Sequence, residues 1–273
     1  MFICSSARIG PNLLVTDDSE LLRHLSAPRS KWARGGWYGG VKFDPRMNNI
    51  LSERDEKKHA EMRDKLIVLW KRGRTLELDI DSVLVKALGH IRREYIGKGL
   101  DIAQIASYFT LDVLIRMAFE DSFGFVEANS DLYDYHVIAN KFFGVLELVV
   151  NHENLQLFVQ NSIVQRLLAP KGKDKVGQGA IIGIAQKAVS ERFRPDARVK
   201  KDMLGHFLAK GMTQEEAEVE SHLQIIAESD STAGTLRTTM MLLVAKPGGI
   251  PKTCPRNRQC YRERHCLVSN HQT

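Results

Sequence analysis

Thr213-Gln214-Glu215-Glu216 opens, and Lys246-Pro247-Gly248-Gly249 closes, the stretch that decides how this chain folds. The opening is a capping box: the Thr213 hydroxyl can accept from the Glu216 amide while the Glu216 carboxylate reaches back to the Thr213 amide. No proline interrupts the sequence until Pro247, which the two glycines reinforce as a stop. At 1.5 Å per residue such a helix is roughly 50 Å long, enough to cross a whole domain. Its far end, Met240-Met241-Leu242-Leu243-Val244-Ala245, is apolar on every side, so it is expected to run through a core.

Outward from this helix the pattern stays helical. Apolar residues recur at three- and four-residue spacing over Ile80 to Tyr95 and Ile102 to Phe119, and helices are also expected over Glu53 to Trp70, Leu132 to Val150, Leu155 to Leu168 and Gly179 to Phe193. Near the start, Asn12-Leu13-Leu14-Val15 reads as a short strand, followed by a helix through Leu21, Leu22 and Leu25 that Asp18 or Ser19 can cap. The run Gly35-Gly36-Trp37-Tyr38-Gly39-Gly40 with Pro45 breaks any regular element between them. The expected class is mainly α with little β.

After Pro251 the composition changes. Lys252, Arg256, Arg258, Arg262 and Arg264 stand against one acid, Glu263, and three of the four cysteines (Cys254, Cys260, Cys266) fall here. Most of the net charge of +6 therefore belongs to this tail, which argues against a basic groove and hence against nucleic acid as a partner. We read residues 1–250 as one helical domain and 251–273 as a disordered basic tail. With no export signal, four cysteines do not make a disulfide framework. Spacings of five residues between cysteines are unlike paired zinc ligands, and Pro170-Lys171-Gly172-Lys173 lacks the spacing of a phosphate loop. No apolar run approaches the ~20 residues of a membrane span, so the chain on its own is expected to be cytoplasmic and soluble.

Polar residues interrupt the middle of the long helix: Ala227-Glu228-Ser229-Asp230-Ser231-Thr232-Ala233-Gly234. A carboxylate in a core helix costs several kcal/mol unless it meets water or a partner. Ile226, Asp230 and Gly234 share one face, with Ala227 and Ser231 beside it. A carboxylate next to a hydroxyl, flanked by small residues, can pass protons into a cavity; a hydrated kink or helix crossing has the same sequence signature.

This segment resembles the Ala-Gly-x-Asp/Glu-Thr-Thr oxygen-activation motif on the long central helix of the cytochrome P-450 family. Ser52-Glu53-Arg54-Asp55-Glu56-Lys57-Lys58-His59-Ala60-Glu61-Met62-Arg63 is similar to that family's His-x-x-x-Arg helix, and Asp101-Ile102-Ala103 through Phe119, with Phe123-Gly124-Phe125, to the segment that follows in fungal members of the pisatin demethylase type. The resemblance runs from about Arg8 to Pro247, in the family's order. It implies an incomplete cytochrome P-450 fold around a long central helix, heme b as cofactor, an apolar small-molecule substrate of secondary metabolism, and an NADPH-dependent reductase as partner; complete members are usually anchored to the endoplasmic reticulum. It implies catalytic roles in proton delivery for Asp230, Ser231 and Thr232, and cofactor contacts from His59, Arg63 and Ala227. Ser231 keeps the hydroxyl of the family's threonine, while Glu228 stands where the family has glycine and is expected to crowd the pocket. No Glu-x-x-Arg helix or Phe-x-x-Gly-x-x-x-Cys loop follows Pro247 in these residues. The expectation is a truncated, inactive copy with an exposed apolar patch at the end of the long helix; the alternative is a non-catalytic helical binding protein that retains part of an apolar pocket.

Overall fold

The computed structural model describes residues 6–27, 30–67, 73–120, 122–161, 163, 164, 167, 170–198, 200 and 202–246. The four cysteines and the tail 251–273, with the disorder and the zinc ligands considered there, lie outside them. Two compact units are present, one of residues 1–65 and 142–169 and the other of 66–141 and 170–273. Each is described by itself.

The first unit begins with strands β1 (Ser6–Gly10) and β2 (Leu13–Thr16), an antiparallel hairpin with an irregular register between Arg8 and Gly10. Helix α1 (Ser19–Leu25) follows, capped by the Asp18 carboxylate, which accepts from the amides of Glu20 and Leu21. The glycine-rich run expected to be irregular forms a short 3-10 helix, Gly36–Val41. Gly40 is required there: a Cβ would stand 2.9 Å from the Val150 backbone. The unit continues with α2 (Glu56–Leu66), and α6 (Tyr135–Asn151) enters it from Phe142 onward, followed by α7 (Glu153–Val159). Gln160 ties this end to the glycine turn by donating to the Gly39 carbonyl at 2.8 Å.

The second unit holds the main core. Helix α3 (Gly73–Glu94) packs on α4 (Ile102–Phe119), which packs on the short α5 (Phe125–Ala128). The first turns of α6 follow, then α8 (Gly177–Arg192), α9 (Met203–Ala209) and the long α10 (Gln214–Ala245). Asp101 starts α4 by accepting from the Ala103 and Gln104 amides, and nothing within it breaks the helix. Because it is apolar on all sides it sits at the centre, with Leu111, Ile115 and Ala118 fully buried. Each large side chain so buried stabilises the fold by about 1.5–3 kcal/mol. By length and composition α4 is the one described helix that could cross a membrane, but more than half of it is buried inside the protein, as befits a core helix.

Asp112 organises the turn into α5. Its carboxylate accepts from the amides of Gly124 (2.9 Å), Phe125 (3.2 Å) and Val126 (2.9 Å), so three otherwise unpaired donors are satisfied by one buried acid. Gly124 has φ 82°, a backbone conformation open to glycine.

The capping box at Thr213 forms as the sequence indicates, and α10 runs unbroken for 32 residues. Its burial differs from expectation. The first half is the buried part, with Ala217, Leu223, Ile225 and Ile226 inside, whereas Met241 is 63% and Val244 73% exposed. Apolar composition alone does not bury a segment; it needs a packing partner, and among the described residues nothing covers this end. The expectation of an exposed apolar patch there agrees with what is observed. Leu155 to Leu168 is not one unbroken helix: α7 ends at Val159, Gln160 and Asn161 turn, and the described residues 163, 164 and 167 are again helical.

Candidate functional site

Helix α2 is built to present His59. Asp55 caps it by accepting from the Lys57 and Lys58 amides, and the preceding turn is fixed by buried Asn49, whose side chain donates to the Val41 carbonyl and accepts from the Leu51 and Ser52 amides. Glu53, also buried, is pushed up by desolvation, but bonds from the Asp55 amide and Asn48 outweigh that and hold its carboxyl below the usual value. His59 and Arg63 lie one turn apart on the helix, His59 half-buried and Arg63 exposed.

Arg34, which nothing in the sequence singled out, meets His59 directly. Its Nη1 donates to the carbonyls of Glu53 (2.9 Å) and Ile50 (3.3 Å), and its Nη2 lies 2.5 Å from His59 Nε2 and 3.1 Å from Nδ1. The Tyr38 ring packs against the guanidinium at 5.6 Å. Burial first, and then the charges of Arg34 and Arg63, hold His59 below the ordinary histidine range, against an opposing pull from Glu56 and Glu53.

In the second unit, Ala227, Asp230, Ser231 and Thr232 form one exposed stretch at the middle of α10. Asp230, 62% exposed, meets its desolvation problem by facing water, and its carboxylate lies 4.0 Å from the Arg237 guanidinium. Ser231 donates to the Ala227 carbonyl at 3.2 Å, Thr235 to Ser231 at 3.0 Å and Thr239 to Thr235 at 2.8 Å, a file of hydroxyls each bonded one turn back. The side chain of Glu228, expected to crowd the pocket, lies outside the described residues.

The buried side of the same segment carries a network that the sequence reading passed over. Ser229 is buried, with its Oγ 3.1 Å from Tyr135 Oη, and its carbonyl accepts from Thr110 Oγ1 at 3.0 Å. Arg237 reaches α4, donating from Nε to the Ala103 carbonyl at 3.2 Å and from Nη2 to Ser107 Oγ. A lone arginine in the run Thr235-Leu236-Arg237-Thr238-Thr239-Met240 is the signal that could have flagged it; Thr110 and Tyr135 offer none. Thus α10 shows two faces at its centre, Ser229 locked against α4 and α6 and the pair Asp230–Ser231 open. His59 and Arg63 belong to the first unit, the acid–hydroxyl pair to the second. Among the described residues no group of three or more His, Cys, Asp or Glu could hold a metal ion.

Comparison with known proteins gives these clusters a family. The family model described as Cytochrome P450 matches residues 44–252. The chain is 35% identical over 255 residues to Cytochrome P450 monooxygenase ABA1 of Pyricularia oryzae, covering 89% of this chain and 49% of that protein. It is 31% identical over 259 residues to Cytochrome P450 monooxygenase aba1 of Botryotinia fuckeliana, covering 91% and 49%, and 28% identical over 249 residues to Cytochrome P450 monooxygenase abl1 of Leptosphaeria maculans, covering 88% and 44%. The chain thus spans about half the length of these relatives. A match that begins ahead of His59 and ends beyond Thr232 takes in His59, Arg63, Asp230 and Ser231, and on it the chain belongs to the cytochrome P450 family.

Proposed function

We propose that this chain supplies the carboxylate-holding helix and the long central helix of a heme- and dioxygen-dependent monooxygenase that oxidises an apolar small molecule in secondary metabolism, with an NADPH-dependent reductase as electron donor. Heme, the cofactor the family implies, fits the donors present on one side: Arg34, His59 and Arg63 form a cationic and polar set suited to the propionates. When bound through a cysteine thiolate, heme supplies the activation of dioxygen. The observation that carries the reading is the open acid–hydroxyl pair on α10, within a segment otherwise anchored by Ser229.

The roles of the pair follow from their positions. Asp230 is in water and can take a proton from it; Ser231 Oγ, one residue on, donates to the Ala227 carbonyl at rest. Rotation about its side-chain bond lets the same hydroxyl donate outward, and Asp230 can then reload it. Thr232 extends the polar surface, and Ala227, small and exposed, leaves room for a flat group to approach.

We further propose that the 273 residues by themselves do not turn substrate over, because none of the four cysteines stands in a Phe-x-x-Gly-x-x-x-Cys setting. The purified 273-residue protein, mixed with hemin, reduced and exposed to carbon monoxide, is expected to give no thiolate-type difference band. Such a band would overturn the claim of inactivity.

A further inference from the structure

Helix α3 has two opposed faces. Val83, Ala87 and His90 are buried, and on the flank beside them Asp79 pairs with Arg116 of α4 and Lys86 with Glu127 of α5. On the far side Leu78, Val85 and Leu88 are exposed, in line with Asp81 and Arg92. Positions 78, 81, 85, 88 and 92 recur in alternating steps of three and four, the spacing with which one helix seams against another, over roughly 21 Å. A helix meant only for the surface turns polar residues to water along such a line, not leucine and valine. Among the described residues the side chains of Asp81 and Arg92 have no hydrogen bond or ion pair.

The order of these residues selects a partner. An acid at one end, a base at the other and two apolar side chains between them make a line that complements itself when reversed. We propose that this face of α3 is an interface with a second copy of the chain, the two helices packing antiparallel about a two-fold axis midway between Val85 and Leu88. Asp81 then meets Arg92 of the second copy, Val85 meets its Leu88, and both contacts occur twice, as two-fold symmetry requires. A parallel pair would instead set Asp81 on Asp81 and Arg92 on Arg92.

Gly89, beside this line, fits the same arrangement. A Cβ there would meet nothing nearer than the Arg93 side chain at 3.8 Å, so no packing within the chain calls for glycine in the helix. On the seam it lets the second helix approach closely. The exposed end of α10, with Met241, Leu242 and Val244, is apolar too, but it carries no pair of charges that would fix a register. Three apolar side chains from each copy make a small interface, so the dimer is a weak one, with a Kd on the order of 10 µM.

Sedimentation of the 273-residue protein from about 1 to 100 µM tests this, with circular dichroism as a check that each variant is folded. The wild type is expected to pass from monomer to dimer over that range. Asp81→Arg and Arg92→Asp each set like charges against each other at both ends of the seam and are expected to weaken the dimer about tenfold or more. Mixing the two variants is expected to restore it, because each then supplies the charge that the other lacks, and the double variant Asp81→Arg/Arg92→Asp is expected to stay near wild type. A dimer equally tight in both single variants overturns the inference and points to the end of α10. A mixture no tighter than its components overturns the antiparallel pairing. A wild type that stays monomeric throughout overturns the interface, whether residues 247–273 or water then meet this face.

Discussion

Tyr135 Oη and Ser229 Oγ lie 3.1 Å apart in the core of the second unit, joining the start of α6 to the centre of α10. Burial pushes the Tyr135 phenol up to about 12, although the bond with Ser229 and nearby charge also act on it. The phenol therefore stays neutral in the folded protein after it would ionise in the unfolded chain. Its contribution to stability is complete below about pH 10 and is lost as pH rises from about 10 to 12, by about 3 kcal/mol at full extent. Denaturant titrations across that window should show the fall in the wild type and a smaller one in Tyr135→Phe; equal slopes would remove Tyr135 as its cause.

His136, the next residue, predicts the opposite end of the pH scale. Its ring packs among Tyr108, Phe125 and Tyr135. Burial holds it below the ordinary histidine value, with Arg237 acting in the same direction and Asp131 and Asp230 against it. A depressed histidine binds its proton in the unfolded chain first, so stability is present above about pH 6.5 and falls as pH drops toward the folded-state value. His136→Phe should flatten that acid limb, as read from melting temperatures between pH 7 and 5.

Asp112→Asn should destabilise the protein by about 2 kcal/mol. The asparagine amide would set its own hydrogens against one of the three amides that the carboxylate now accepts. Chemical denaturation gives the value, and a change under 0.5 kcal/mol would mean that the turn into α5 is held by other contacts.

Asp230 and Arg237 should separate cleanly. Asp230→Asn, at an exposed position, is expected to alter stability by less than about 0.5 kcal/mol. Arg237→Gln gives up bonds to the Ala103 carbonyl and Ser107 that join α10 to α4, with an expected loss of about 1–2 kcal/mol. Similar losses for both variants would show that the ion pair, and not the link to α4, carries the effect.

What could be read from the sequence follows from how locally each feature is encoded. The capping box at Thr213 and the stop at Pro247 involve residues a few positions apart, and α10 is found between them. Likewise Asp101 starts α4, and Ile102 to Phe119 is found as read. Burial is not local: Met240 to Ala245 has the composition of a core, yet it lies exposed because no described element covers it. The candidate site divides in the same way. His59 and Arg63, Asp230 and Ser231 are spaced for their helices and stand out in the sequence, whereas Arg34, Thr110 and Tyr135 matter through partners 25, 119 and 94 residues away. No periodicity records such distances.

The central position of α4 has a consequence for synthesis on the ribosome. This helix is apolar all round, yet α10, which it packs against, begins only at Gln214, about 95 residues after α4 ends at Phe119. At ~5–20 residues per second, this apolar helix waits on the order of 5–20 s for its partner to emerge. During that interval it is a ready target for chaperones, and any slowing of translation between the two helices lengthens the wait.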